Sequence, residues 1–247
     1  MSTYLVTGAN RGLGLEFAKQ LAEQGKRVFA TTRNPASAES LNALAAASEG
    51  RVTVVALDVS SLESAKAAAA QVASQLGDAK IDVLINNAGI FSNFNMSSIL
   101  DASSNIDALV ECSQRDYDVN VLGIVRVVNS FFPLLNPEQA KLMVITSGAG
   151  SIAGTDGSFL GAGYKSSKAG ANMVTRLIAT DPANKHVTTI AMCPGWVATD
   201  MGSQNSRFDP ALKPPESIAA MLAFLDTVTF EQHNGKFFNR KGDEIPF

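Results

Sequence analysis

Cysteine and histidine are scarce in this 247-residue sequence, with two of each: Cys112, Cys193, His186 and His233. No pair of them has metal-ligand spacing, so no metal site is expected and both thiols read as reduced, structural groups. Basic residues do not cluster, and the net charge is −3. A nucleic-acid partner is therefore not expected. No apolar run reaches the length of a membrane span. Met1 to Val6 runs straight into a strand-like segment and leaves no room for a signal peptide, so a cytoplasmic location is expected. Linkers, composition breaks and internal repeats are also lacking. Hydrophobic residues make up 46% and charged residues 17% of the chain, enough apolar material for one sizeable core. Residues 1–247 are expected to fold as a single domain.

What is present centres on Tyr164-Lys165-Ser166-Ser167-Lys168. Tyr164 and Lys168 are four apart, which on a helix places both on one face, one turn apart. Ala171, Met173, Val174, Leu177 and Ile178 continue at helical spacing. A free tyrosine has a pKa of about 10. An adjacent ammonium favours the phenolate, which is what a proton-shuttling tyrosine needs. The pair alone also fits an ordinary solvated helix face, so its meaning depends on the rest of the chain.

Near the N-terminus, Tyr4-Leu5-Val6 reads as a strand, Thr7 to Gly14 as a glycine-rich turn, and Leu15 to Ala22 as an amphipathic helix. Strand, glycine turn and helix form the context of a dinucleotide-binding loop: glycines let the backbone approach a pyrophosphate, and the helix N-terminus offers free N–H groups. Arg27 to Thr32 reads as the second strand. At its end, where an acidic residue would bind an unphosphorylated adenosine ribose, stand Thr32 and Arg33; an arginine there suits a 2′-phosphate. Arg11 in the loop is a second candidate cation. A helix is expected over Ser37–Ala47 and a strand over Val52–Leu57. Asp58 follows, either to accept from the adenine amino group or to cap the next helix, Leu62–Leu76. The fourth strand, Ile81–Ile85, leads into Asn86-Asn87-Ala88-Gly89. Such alternation predicts an α/β fold: a doubly wound parallel sheet of about seven strands with helices on both faces and ligands beyond the carboxyl ends of the strands.

Further along, a polar loop is expected over 91–104, a long helix from Tyr117 to Leu135 containing Asn120, strands over Lys141–Thr146 and Thr188–Cys193, and a surface loop over Gly202–Pro215. A last helix is expected over Glu216–Phe224 and a last strand over Lys236–Phe238.

Taken in order, Thr7-Gly8-x-x-x-Gly12-x-Gly14, Asn86-Asn87-Ala88-Gly89, Asn120, Ser147, Tyr164-x-x-x-Lys168 and Pro194-Gly195 resemble the motifs of the short-chain dehydrogenase/reductase family. The resemblance covers nearly the whole chain, and the segments Pro194–Met201 and Gly235–Phe238 resemble its C-factor and carbonyl-reductase-like branch. It implies a single-domain Rossmann fold that binds NADPH or NADP+ and interconverts carbonyl and alcohol. Tyr164 would be the general acid in reduction. Lys168 would lower its pKa and bond the nicotinamide ribose, Ser147 would hold the substrate oxygen, and Asn120 would anchor a water chain to Lys168. Gly8, Asn10, Arg11, Gly12, Leu13, Gly14, Arg33, Asp58, Val59, Asn87, Ala88 and Gly89 would contact the cofactor. Pro194, Gly195, Val197 and Thr199 would line its nicotinamide. Ser147 and Tyr164 are seventeen positions apart, longer than the commonest family spacing, so either the loop Gly148–Gly163 carries a short insertion or Ser151 competes for the serine role; Ser147 is favoured because it directly ends the strand.

A small-molecule carbonyl substrate, apolar or aromatic, is expected from Phe91, Phe94, Phe159, Trp196 and Phe208 near the loops. Arg207 and Lys213 are the only nearby cations. Two rival readings stand beside a reductase: a cofactor-sensing or signalling protein on the same fold, and an NAD-linked alcohol dehydrogenase. A homodimer or homotetramer paired through the helices beginning near Tyr117 and Tyr164 is a further expectation.

Overall fold

The computed structural model describes residues 1–92, 100, 105–155, 161–204 and 210–247. Seven strands form one all-parallel sheet in the order β3-β2-β1-β4-β5-β6-β7. They are β1 (Thr3–Val6), β2 (Arg27–Thr32), β3 (Val52–Ala56), β4 (Val83–Asn86), β5 (Lys141–Ile145), β6 (Thr188–Cys193) and β7 (Phe237–Asn239). Because successive side chains of a strand point to opposite faces, β1 feeds two cores. Tyr4 and Val6 pack with Phe17 and Leu21 of α1 (Gly12–Glu23), Leu41 of α2 (Glu39–Ala47) and Met221 of α7 (Pro214–Thr227). Leu5 packs on the other face with Val72 of α3 (Leu62–Leu76), Val127 of α5 (Gly123–Phe131) and Ala171 of α6 (Ala162–Thr180). Both faces of the sheet are covered, which is why its strands read as continuous apolar runs. The architecture is a single-domain, doubly wound, Rossmann-like α/β fold.

Several expected boundaries move. The helix expected from Tyr117 begins eleven residues earlier, as α4 (Ile106–Tyr117), capped by Asn105, whose side chain accepts from the Ala108 N–H at 3.0 Å. It continues through a π-helical turn over Asp118–Leu122 into α5. The last two prolines of the expected 202–215 loop instead open α7, because a proline lacks only an N–H that the first helical turn leaves unbonded anyway. A short α8 (Phe230–His233) follows α7. Phe94, Phe159, Arg207 and Phe208 lie outside the described residues.

Candidate active site

The carboxyl ends of the strands border a cleft of about 520 Å³. At one wall, the turn after β1 is shaped by contacts that leave no room for side chains. A Cβ on Gly14 would lie 2.2 Å from the Gly8 carbonyl oxygen, and one on Gly8 would lie 2.9 Å from Ala88 Cα. Thr7 Oγ1 accepts from the N–H groups of Asn87 and Ala88, both at 3.0 Å. Asn87 returns its amide to the carbonyls of Thr7 and Gly8 at 2.8 and 3.2 Å. The glycine turn and the end of β4 are thereby one unit. Helix α1 starts at Gly12, and its preceding residue, Arg11, makes no side-chain cap. The first N–H groups are thus left to a ligand, the arrangement that receives a pyrophosphate.

Asn10, Leu13, Arg33 and Val59 also line this half of the cleft, with Asp58. Asp58 accepts from the Ser60 N–H at 2.9 Å and hydroxyl at 2.6 Å. Burial pushes its carboxyl up, but these bonds and the charges of Arg33 and Arg126 outweigh that and hold it below the usual range. The cap of α3 is Ser61, not Asp58, so Asp58 faces the cleft as a carboxylate. Arg11 reaches across the mouth to Asp200 at 2.7 Å, both side chains being 71% exposed.

The other half of the cleft holds Tyr164, Lys168, Gly89, Pro194 and Thr199. The Tyr164 hydroxyl is hydrogen-bonded to Ser147 at the end of β5. Lys168 donates to the Ile145 carbonyl at 3.0 Å and lies 5.7 Å from the Tyr164 ring centre. Asn120 sits in the π-helical turn. Its side chain accepts from the Ile90 N–H at 2.8 Å and donates to the Ile90 carbonyl and Ser167 Oγ, both at 2.9 Å. Gly89 permits the approach: a Cβ there would be 3.2 Å from Asn120 Oδ1 and 3.4 Å from Lys168 Nζ.

The expected depression of the Tyr164 pKa by Lys168 is not what this environment gives. Burial pushes the phenol up to about 12, helped by Cys193 and Asp116 and opposed by the Ser147 bond. Burial also brings Lys168 down to about 8, against the pull of Asp116 and Cys193. Lys168 is buried and Tyr164 half-buried in the cleft wall, and desolvation disfavours the charged form of each.

One further expectation resolves on geometry. The Ser151 hydroxyl is engaged elsewhere: it donates to the Pro246 carbonyl at 2.6 Å and accepts from the Gly154 N–H at 3.0 Å. Gly195 and Val197 shape the turn after β6: Gly195 has φ +84° against Leu212, and Val197 bridges to Leu212. Of the described aromatic wall residues, Phe91 lines the cleft and packs on Tyr164, with ring centres 5.2 Å apart. Trp196 is more than half exposed, its indole N–H donating to the Gly202 carbonyl at 2.8 Å. Ile90, Ser92, Arg115, Val119 and Thr146 also line the cleft without having been expected there. The unexpected residues of α4 and the turn after it, Arg115 and Val119, share a helical face, a signal that becomes readable once Asn105 is taken as a cap.

A family model described as short chain dehydrogenase matches residues 2–209. The chain belongs to the short-chain dehydrogenase family. It is an oxidoreductase of that family, which uses nicotinamide cofactors. An uncharacterized oxidoreductase of Schizosaccharomyces pombe is 35% identical over 261 residues, covering 99% of this chain and 97% of the relative. The crystal structure of NADPH-bound carbonyl reductase from chicken fatty liver matches with a TM-score of 0.85 and 31% identity, covering 100% of this chain and 99% of the other. The C-signal protein of Myxococcus xanthus is 36% identical over 169 residues, covering 68% of this chain and 93% of that protein. The short-chain dehydrogenase relationship is thus carbonyl-reductase-like. No helix among the described residues is long and apolar enough to cross a membrane, and they contain no cluster of metal-ligating side chains.

Proposed function

We propose that the protein is an NADPH-dependent carbonyl reductase in which Tyr164 donates the proton. The observation that carries this reading is the joining of Tyr164, Ser147 and Lys168 at one end of a cleft whose other end holds a glycine turn and Arg33. The residues present fit the cofactor. The turn after β1 is closed to any side chain at Gly14, the N-terminus of α1 is uncapped by a side chain, and Arg33 stands where an acidic residue would repel a 2′-phosphate. Asp58 is a hydrogen-bond acceptor for the adenine amino group. When bound, NADPH supplies the hydride.

The protein's own groups supply the rest. A phenol with its pKa near 12 is protonated at neutral pH and can donate to a carbonyl oxygen as negative charge develops there. Ser147 holds that oxygen beside the phenol. Lys168 orients the ribose and replenishes the proton, and Asn120, locked onto the Ile90 backbone, positions the water path to it. Phe91 offers an apolar surface beside Tyr164, in keeping with an apolar or aromatic ketone or aldehyde. Val110, Tyr117, Val125, Met173 and Leu177 are exposed apolar side chains on α4, α5 and α6. They support pairing of two copies through these helices.

The test is a side-by-side titration with NADPH and NADH, then NADPH oxidation with a panel of aromatic and aliphatic carbonyl compounds. Tighter NADPH binding with turnover supports the reading, whereas binding of neither cofactor defeats it. Tighter NADH binding with alcohol oxidation would favour an NAD-linked dehydrogenase.

The similarity to C-signal favours a second reading, a cofactor-binding signalling protein. A Tyr164→Phe variant separates the two: a reductase loses turnover while still binding NADPH, and a signalling protein keeps its biological effect.

A further inference from the structure

Asp116 is a carboxylate only 2% exposed, behind Ser92 of the cleft wall, with no part in the proton path described above. It lies in the last turn of α4 and accepts from both the N–H and the hydroxyl of Ser92, at 2.9 and 2.8 Å. Cys112, one turn earlier on the same face of α4, places its Sγ 3.9 Å from the Ser92 carbonyl oxygen. Two residues upstream, Asn120 grips the Ile90 backbone at both its N–H and its carbonyl. Residues 90–92 belong to no strand or helix, so these side chains stand in for the bonds that regular structure would provide.

The residue between the two grips is Phe91. Its ring packs on Tyr164 at 5.2 Å and 57°. Gly161 also lies near the ring, and a Cβ there would come within 3.4 Å of it. The position of the ring follows from where the backbone at 90–92 is tied. A carboxylate is costly to bury unless donors face it, and here both donors come from Ser92.

We propose that Asp116 is a positioning residue that, through Ser92, holds Phe91 against Tyr164 and so fixes the apolar wall on which the substituent of the substrate carbonyl lies. The inference rests on the carbonyl-reductase reading for its kinetic consequence, but not for its structural one. Arg115, Lys168 and Tyr164 also feel the charge of Asp116, so a role for the charge alone is the competing explanation.

Asp116→Asn separates the two, because an amide oxygen still accepts from Ser92 while the charge is gone. The full-length wild type, Asp116→Asn, Asp116→Ala and Ser92→Ala are compared by amide hydrogen exchange over residues 90–92 and by NADPH oxidation with 1-phenyl-1,2-propanedione and 2,3-butanedione. In Asp116→Ala, loss of the bond to the Ser92 N–H should speed exchange about 10-fold. KM for the phenyl diketone should rise by about 10- to 100-fold, with NADPH affinity unchanged and butanedione, too small to lean on Phe91, much less affected. Asp116→Asn should remain close to wild type on every readout. Ser92→Ala, which keeps the backbone bond, should fall between, and it carries the comparison if Asp116→Ala does not fold. Unchanged exchange in Asp116→Ala and Ser92→Ala overturns the proposal. So does an Asp116→Asn variant as impaired as Asp116→Ala, which would make the charge the operative property. A wild type inert toward both diketones counts against the reductase reading, and the exchange result then decides the role of Asp116 by itself.

Discussion

Lys168 donates to the carbonyl of Ile145 at 3.0 Å, which ties the helix carrying Tyr164 to the last residue of β5. The bond holds the ammonium in the cleft. A buried cation whose desolvation outweighs the attraction of Asp116 costs stability in exchange for function.

Lys168→Met should therefore abolish most turnover and raise stability at pH 7, by at most about 3 kcal/mol given the depth of the depression. The pH dependence has a definite sign. The folded state releases the Lys168 proton near pH 8, while the unfolded chain keeps it to about 10.4. Unfolding thus takes up a proton in that window, and wild-type stability gains from this group as pH rises through it. The advantage of Met should be largest below pH 8 and fade towards pH 10. Urea unfolding of both proteins at several pH values checks this. Turnover of the wild type should decline above about pH 8 as the ammonium is lost.

Arg33→Asp should weaken NADPH binding by about 10- to 100-fold, the loss of a charge-assisted bond to the 2′-phosphate, and leave NADH binding equal or stronger. Parallel calorimetric titrations measure it. An unaltered NADPH/NADH ratio would remove the 2′-phosphate from Arg33.

Gly14→Ala puts a methyl group 2.2 Å from the Gly8 carbonyl oxygen. The turn has to open, because the clash is with backbone and not with a flexible side chain. A loss of about 2–3 kcal/mol in unfolding free energy is expected, with cofactor affinity falling alongside it.

The two candidate serines should behave differently. Ser147→Ala should lower kcat about 100-fold with little change in stability. Ser151→Ala removes the bonds to the Pro246 carbonyl and the Gly154 N–H. It should cost about 1–2 kcal/mol and quicken proteolysis at the C-terminal residues while sparing kcat.

How much of this was legible depended on where each residue's partners lie along the chain. The bounds of β2, α3 and β6 follow from local pattern, since each is a short run with an unambiguous apolar rhythm and a clear stop. Helix α4 was hidden because its inward face is polar. Asp116 is its only fully buried residue, and Val110 and Tyr117 are exposed, so apolar periodicity could not mark it. Tyr164, Lys168, Ser147 and Asn120 were legible as an ordered set of residue types. That burial would raise the Tyr164 pKa and lower that of Lys168 was not, because desolvation depends on everything packed around the pair. Ser147 is favoured over Ser151 by its place directly at the end of a strand, but that the Ser151 hydroxyl is taken by a carbonyl 95 residues away could not be read from the sequence.

The strand order also has a temporal consequence for a chain made from its N-terminus. Strand β1 lies between β2 and β4, so the glycine-turn end of the cleft can close once residue 89 is available. Tyr164, Lys168, Pro194 and Thr199 come much later, and Asp200 must reach back 189 positions to meet Arg11. Half of the cleft is built early and the half that holds Tyr164 and Lys168 is built last. A nascent chain would carry the glycine turn and its helix well before the residues proposed to react.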